Sequence, residues 1–129
     1  MNCPAEGRLA GVRLLLVDDD PDILASMALA MRAEQAVVDT AEDGSIALHR
    51  LAALRPDAVV LDLMLPGQSG FTVLERCRGS SPPVPVVMVT ANRGSHHAAL
   101  ATSLGADAYL VKPVPLARLL DAVATALRR

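Results

Sequence analysis

Short apolar runs that stop abruptly at polar residues recur along the chain, and each leads into a segment with helical spacing. The first run, Arg13–Val17, ends at Asp18-Asp19-Asp20. Asp20 followed by Pro21 predicts a helix start: a side-chain acceptor for free N–H groups, then the residue best suited to a first turn. Ile23, Leu24, Met27, Ala30 and Met31 follow at helical spacing. Ala36–Ala41 predicts a second strand, and Asp43 caps a helix whose apolar side is Ala47, Leu48, Leu51 and Leu54. Ala58–Leu61 is continuously apolar and stops at Asp62. A loop through Met64-Leu65-Pro66-Gly67 leads to a helix over Ser69–Arg78, with Phe71 in its core. After the turn cluster Ser80–Pro83 comes a fourth strand, Val84–Val89, ending at Thr90. Pro85 must lie near its start, where a missing N–H does least harm. A small-residue helix over Ser95–Leu104 closes at Gly105. Ala108–Val111 is the fifth strand, ending at Lys112-Pro113, and Leu116, Leu119, Leu120, Val123, Ala124 and Leu127 form the stripe of a last helix.

Apolar strands without alternation, each followed by an amphipathic helix, predict an α/β fold. Five parallel strands are covered on both faces by five helices. Right-handed crossovers make this a doubly wound three-layer sandwich. A length of 129 residues is one domain. The aperiodic, Gly/Ala/Pro-rich residues 1–12 read as a flexible leader before a domain over 13–129.

Hydrophobic residues make up 52% of the chain, enough for a full core, which excludes disorder. No apolar run approaches the roughly 18 residues of a membrane span, and the N-terminus lacks an apolar signal core. A cytoplasmic protein with two reduced thiols, Cys3 and Cys77, is the expectation. A formal net charge of −2, with Phe71 and Tyr109 the only aromatics, argues against direct nucleic-acid binding. The charge is uneven: residues 1–62 carry 11 acidic and 5 basic side chains, the remainder 3 and 7. Of the basic residues all but Lys112 are arginine.

Ligands of an open parallel α/β sheet bind beyond the C-terminal ends of its strands. The residues there are Asp18, Asp19 and Asp20 after the first strand, Asp62 after the third, Thr90 at the fourth and Lys112 after the fifth. Asp20 is accounted for as a helix cap. Two carboxylates about 4 Å apart repel by roughly 4 kcal/mol at an effective dielectric near 20. A set of carboxylates without a matching Arg therefore suits a hard divalent cation, and Mg2+ commonly takes one or two carboxylates and completes its shell with water and phosphate. In an arginine-writing chain, a single Lys argues for a site that wants a compact ammonium, as a phosphate oxygen does. A carboxylate beside a metal, a hydroxyl and an ammonium can become an acyl phosphate. His49, His96 and His97 have no ligand spacing with a Cys or with the acid cluster and read as solvated helix faces. Met27, Met31, Met64 and Met88 read as gap-fillers.

The segments LLLVDDDP (14–21), VVLDLMLPGQSG (59–70), VMVTA (87–91) and GADAYLVKP (105–113) together resemble the bacterial response-regulator receiver domain, chemotaxis receivers included, in order over residues 13 to 128. The resemblance implies a flavodoxin-like sheet of order 2-1-3-4-5, the strand order of chemotaxis receivers. It implies Asp62 as phosphoacceptor, and Asp18 and Asp19 as the acidic pair that holds Mg2+, or Mn2+, together with Asp62 and the Met64 backbone carbonyl. It further implies Thr90 as the switch hydroxyl, Lys112 as the phosphate-binding lysine and Tyr109 as the rotameric aromatic. Such a protein is a two-component or phosphorelay switch that takes its phosphoryl group from a histidine kinase or histidine phosphotransfer protein. It is an enzyme only toward its own phosphorylation and dephosphorylation. Its output, to a downstream protein or a second copy, is expected through the fourth helix, fifth strand and fifth helix. Ala98, Ala99, Ala101, Leu116, Leu119 and Leu120 there promise a surface of low charge.

Competing readings are an Mg2+-dependent aspartyl-phosphate phosphatase and a nucleotide- or flavin-binding flavodoxin-like protein. The first wants an acid two residues after its nucleophile, where Met64 stands. The second wants a Gly- or Ser/Thr-rich phosphate loop after the first strand, where three carboxylates stand. A receiver used only for docking is opposed by the intact site. A receiver fragment of a hybrid kinase or longer regulator remains open beside a stand-alone regulator starting at Met1.

Overall fold

Leu14–Val17, Ala58–Leu61 and Val86–Val89 are apolar without alternation because each lies in the middle of a sheet buried on both faces. The computed structural model describes residues 7–91 and 94–128. Strands and helices alternate: β1 (Arg13–Val17), α1 (Pro21–Ala33), β2 (Val37–Ala41), α2 (Gly44–Leu54), β3 (Ala58–Leu61), α3 (Gly70–Arg78), β4 (Val86–Thr90), α4 (Ser95–Ser103), β5 (Ala108–Val111) and α5 (Leu116–Leu127). The sheet has the order β2-β1-β3-β4-β5 with every pair parallel. The expected doubly wound α/β sandwich is thus the observed one.

Successive strand residues feed two separate cores. Leu14, Leu16, Val60, Val87 and Val89 face α1 and α5, meeting Leu24, Met27, Met31, Leu119 and Val123. Leu15, Val17, Val59, Leu61 and Met88 face the other way, onto Ala47, Leu51, Val73, Leu74 and Cys77. Cys77 is a free, buried thiol, and burial pushes its pKa up to about 12, so it is inert packing. Cys3 lies outside the described residues.

Two aspartates tie the sheet at the end away from the acidic rim. The Arg13 N–H donates to Asp57 Oδ2 at 2.8 Å while the Asp57 N–H donates to the Arg13 carbonyl at 2.7 Å. Asp107 does the same for β4, accepting from the Val86 N–H at 2.8 Å and donating to the Val86 carbonyl at 2.8 Å. Each aspartate sits one residue before its own strand and satisfies the first N–H of the neighbouring one.

Several boundaries differ from the sequence expectation, each for a hydrogen-bonding reason. Strand β2 starts at Val37 rather than Ala36, because α1 ends in a Schellman turn: Gln35 takes φ 69°, its N–H donates to the Arg32 carbonyl, and the Ala36 N–H donates to Met31. Strand β4 starts at Val86 rather than Val84, because the Val84 N–H turns back to the Cys77 carbonyl at 2.9 Å and Pro85 has none to give. Ser69 is the cap of α3 rather than its first residue. Gly105, with φ 101°, follows the end of α4 as expected, although that helix stops at Ser103.

The flexible leader is corrected for residues 7–12. Leu9 is wholly buried in the α1/α5 core, and its N–H donates to the Glu34 carbonyl at 3.0 Å. Arg8 Nη1 meets Asp121 Oδ1 of α5 at 2.7 Å. An apolar residue in an aperiodic segment carries no pattern, so composition alone conceals this packing. Residues 1–6 lie outside the described residues. Among those described, no helix is long and apolar enough to cross a membrane.

Candidate functional site

Strand parity brings the rim residues together. Val17 and Leu61, the last residues of β1 and β3, point into the α2/α3 core. The residues that follow, Asp18 and Asp62, turn toward the opposite face. Backbone bonds carry the sheet one step beyond the strands: the Asp18 N–H donates to Ala41 at 3.2 Å, Asp62 to Val17 at 2.9 Å and Lys112 to Thr90 at 2.9 Å. The side chains of Asp18 and Asp62 are therefore delivered by the centre of the molecule, not by mobile loops.

Carboxylate oxygens of Asp18, Asp19 and Asp62 lie within 4.8 Å of one another, with Asp18 and Asp62 buried and Asp19 exposed. Lys112 Nζ donates to Asp18 Oδ2 at 2.6 Å and to Asp62 Oδ2 at 3.1 Å. The second oxygen of each buried carboxylate accepts a backbone N–H: Asp18 Oδ1 from Asp20 at 3.0 Å, and Asp62 Oδ1 from Met64 at 3.1 Å. Burial alone would lower the Lys112 pKa; the bonds and charges of Asp18 and Asp62 outweigh it and raise it above the usual lysine value. Asp20 caps α1, its Oδ1 accepting from Asp22 and Ile23, and so stands apart from the cluster as the sequence implies.

Three carboxylates against one ammonium leave an excess charge of about −2, and each carboxylate retains lone pairs beyond its present bonds. Hard oxygen donors at this spacing fit a divalent cation of the Mg2+ type. Asp18, Asp19 and Asp62 are the side chains that would hold it.

Thr90 is fully buried at the end of β4, in register with Val111 of β5. Tyr109 pairs with Met88, two residues earlier on both strands, so Thr90 and Tyr109 lie on the same face as diagonal neighbours. The half-buried Tyr109 ring packs on the α2/α3-side core. Burial first, and the charge of Asp62 second, raise its pKa above the usual tyrosine value. Met64 leaves its side chain in solvent.

Other expectations divide. His49 and His96 are exposed, but His97 is half-buried and stacks on Phe71, with centroids 6.2 Å apart and planes 12° apart. Phe71 is a partly buried flank of the core rather than its interior. Of the six residues expected to form a low-charge surface, Ala101 and Leu119 are buried in the two cores, while Ala99 and Leu116 are exposed. An apolar groove of ≈570 Å³ beside Lys112, lined by Ile23, Met27, Val114, Leu116 and Leu119, goes unannounced in the sequence. Ile23, Met27, Leu116 and Leu119 read there as parts of separate helix stripes, and nothing in the sequence brings the start of α1 beside the start of α5.

Comparison with known proteins agrees with this geometry. Residues 14–124 match the response regulator receiver domain. The transcriptional regulatory protein PrrA of Mycobacterium leprae is 41% identical over 117 residues, which cover 91% of this chain and 50% of that protein. The DNA-binding response regulator MtrA of Mycolicibacterium smegmatis is also 41% identical over 117 residues, covering 91% and 51%. The chain spans about half the length of the curated relatives it matches. The BeF3-activated N-terminal receiver domain of Klebsiella pneumoniae RstA superposes with a TM-score of 0.84 at 31% identity, covering 91% of this chain and 99% of that one. A CheY-like response regulator receiver protein of Methanospirillum hungatei JF-1 gives 0.86 at 29% identity, covering 93% and 94%. A family match across 111 of the 129 residues, on this sheet order, shows that the chain belongs to the response regulator receiver domain family, the phosphorylation-dependent switches of two-component signalling.

Proposed function

We propose that this receiver takes a phosphoryl group onto Asp62 in an Mg2+-dependent reaction, from a histidine kinase or histidine phosphotransfer protein, and thereby changes its partner-binding surface. The observation that carries the reading is the Lys112 ammonium bridging two buried carboxylates, Asp18 and Asp62, within an acidic cluster. A carboxylate oxygen of Asp62 attacks phosphorus as the P–N bond to the donor imidazole breaks, its electron pair remaining on nitrogen. Lys112 then gives up its bond to Asp62 and takes a phosphoryl oxygen, its compact ammonium reaching where a planar guanidinium would not. Asp18, Asp19, Asp62 and the Met64 carbonyl would hold Mg2+, which when bound would supply positive charge to the phosphoryl oxygens. The apolar groove beside Lys112 offers the donor protein a surface next to the acceptor.

The Thr90 hydroxyl gains a phosphoryl oxygen as acceptor and moves toward Asp62, and Tyr109, its diagonal neighbour, turns into the space left behind. Helix α4 is suited to respond. Ala101 is its one buried residue among those described. The output face is accordingly α4, β5 and α5, open to a downstream protein or a second copy.

The test is amide exchange with Mg2+ and beryllofluoride, in the wild type and in Asp62→Asn. Altered protection across α4 and β5 in the wild type alone is the expected result. Changes confined to α1 and α2 would overturn the assignment of the output face, and identical responses in both proteins would overturn Asp62.

A further inference from the structure

The chain that carries the acceptor continues through a loop, residues 62–69, whose ends are fixed near the site. The Met64 N–H is bound to Asp62 Oδ1 at 3.1 Å, and the Gly70 N–H donates to the Leu63 carbonyl at 3.1 Å. Between these points the loop is supported by α2, a helix that contributes nothing to the acidic cluster. The Gly44 N–H, at the first position of α2, donates to the Pro66 carbonyl at 3.0 Å. The loop lies so close that a Cβ on residue 44 would stand 1.9 Å from the Gln68 carbonyl oxygen and 2.6 Å from its carbon. Those are backbone atoms of a chain pinned at both ends, so the loop cannot retreat cheaply. Gly44 is buried, and the turn it occupies is itself held by Asp43, whose Oδ1 accepts the Ile46 N–H at 2.7 Å.

We infer that Gly44 is a positioning residue for the metal site: by letting the loop rest on the first turn of α2, it keeps the Met64 backbone beside Asp62. The inference rests on the metal-site reading above. Its physical content is that Met64 supplies a carbonyl from a loop with few bonds of its own, so the seat under the loop sets how well that ligand is placed. Any side chain at 44 lifts the loop from its seat and costs both the Pro66 hydrogen bond and the placement of Met64.

Mg2+ alone is the probe, and the readout is the metal dependence of the thermal unfolding midpoint of the whole chain. Gly44→Ala is expected to weaken the apparent Mg2+ affinity about tenfold or more, the scale on which groups that orient a ligand act. Val123→Ala, a core truncation in α5, is expected to lower the metal-free midpoint while leaving the Mg2+ affinity at the wild-type value. Wild-type affinity in Gly44→Ala, or an equal loss in Val123→Ala, overturns the inference. Should Gly44→Ala not fold, Asp43 decides the matter through the turn beneath the loop. Asp43→Ala is expected to weaken Mg2+ by about threefold, and Asp43→Asn, which still caps, to restore it. Equal affinities in that pair overturn the inference. A wild type blind to Mg2+ overturns the metal-site reading itself, which the Gly44 variants cannot do.

Discussion

Replacing Asp19 by Asn should stabilise the chain without metal and destabilise it, relative to the wild type, with metal. Asp19 offers an oxygen within 4.8 Å of both Asp18 and Asp62. At that separation two unit charges repel by about 3.5 kcal/mol at an effective dielectric of 20 and by about 0.9 kcal/mol in water. Asp19 is exposed, so the lower figure weighs more heavily, and Lys112 further offsets the charges of its two neighbours. Neutralising it should therefore raise metal-free stability by about 1 to 2 kcal/mol. Mg2+ reverses the comparison. At about a hundredfold excess over Kd the wild type gains roughly 2.7 kcal/mol, more than the metal-free advantage of the variant, while a variant lacking one carboxylate ligand gains little at the same concentration. For a domain of this size each kcal/mol moves the midpoint by roughly 3 to 5 °C. Thermal unfolding followed by far-UV circular dichroism, in EDTA and across millimolar Mg2+, reads both effects. A metal-free midpoint no higher than wild type would refute the repulsion, and an undiminished Mg2+ response would remove Asp19 from the ligand set.

Lys112→Met leaves Asp18 and Asp62 buried against each other, and should cost about 3 kcal/mol in the metal-free chain at neutral pH. Because the folded pKa of Lys112 is raised, its stabilisation is complete below the unfolded lysine value of about 10.4 and is lost as pH climbs through the folded value. Denaturant unfolding should accordingly show the gap between wild type and variant closing as pH climbs above the usual lysine value; a gap that persists unchanged there would contradict the ion pairing. Tyr109 is the only tyrosine in a chain without tryptophan, so its ionisation can be followed by absorbance. It should titrate above the usual tyrosine value, and Asp62→Asn should bring it part of the way back, burial accounting for the rest. No movement in that variant would mean that ring and acceptor are uncoupled.

The sheet and the rim are legible in the sequence because both rest on local rules. Apolar runs such as Ala58–Leu61 announce strands buried on both faces, and the residue after each run falls at the ligand-binding edge by topology alone. What escapes the sequence depends on contacts between distant segments. Leu9 is one apolar residue in an aperiodic stretch, and only the seam between α1 and α5 makes it core. Gln35 closes α1 in a left-handed conformation that a sequence signals with glycine but not with glutamine. Gly44 reads as an ordinary residue after a cap until the 62–69 loop is laid on it. Phe71 and His97 are 26 positions apart in sequence, and nothing in either helix stripe pairs them. Residues that hold the site are therefore readable, and residues that hold those residues are not.

The identity of the acceptor is settled most directly by intact-mass measurement after incubation with a small acyl-phosphate donor. The wild type with Mg2+ should gain one phosphoryl group and gain none in EDTA. Asp62→Asn should gain none in either condition, although its neighbours Asp18 and Asp19 are unchanged. A phosphoryl group on Asp62→Asn at the wild-type yield, or full labelling of the wild type without a divalent metal, would contradict an acceptor at Asp62 served by the acidic cluster.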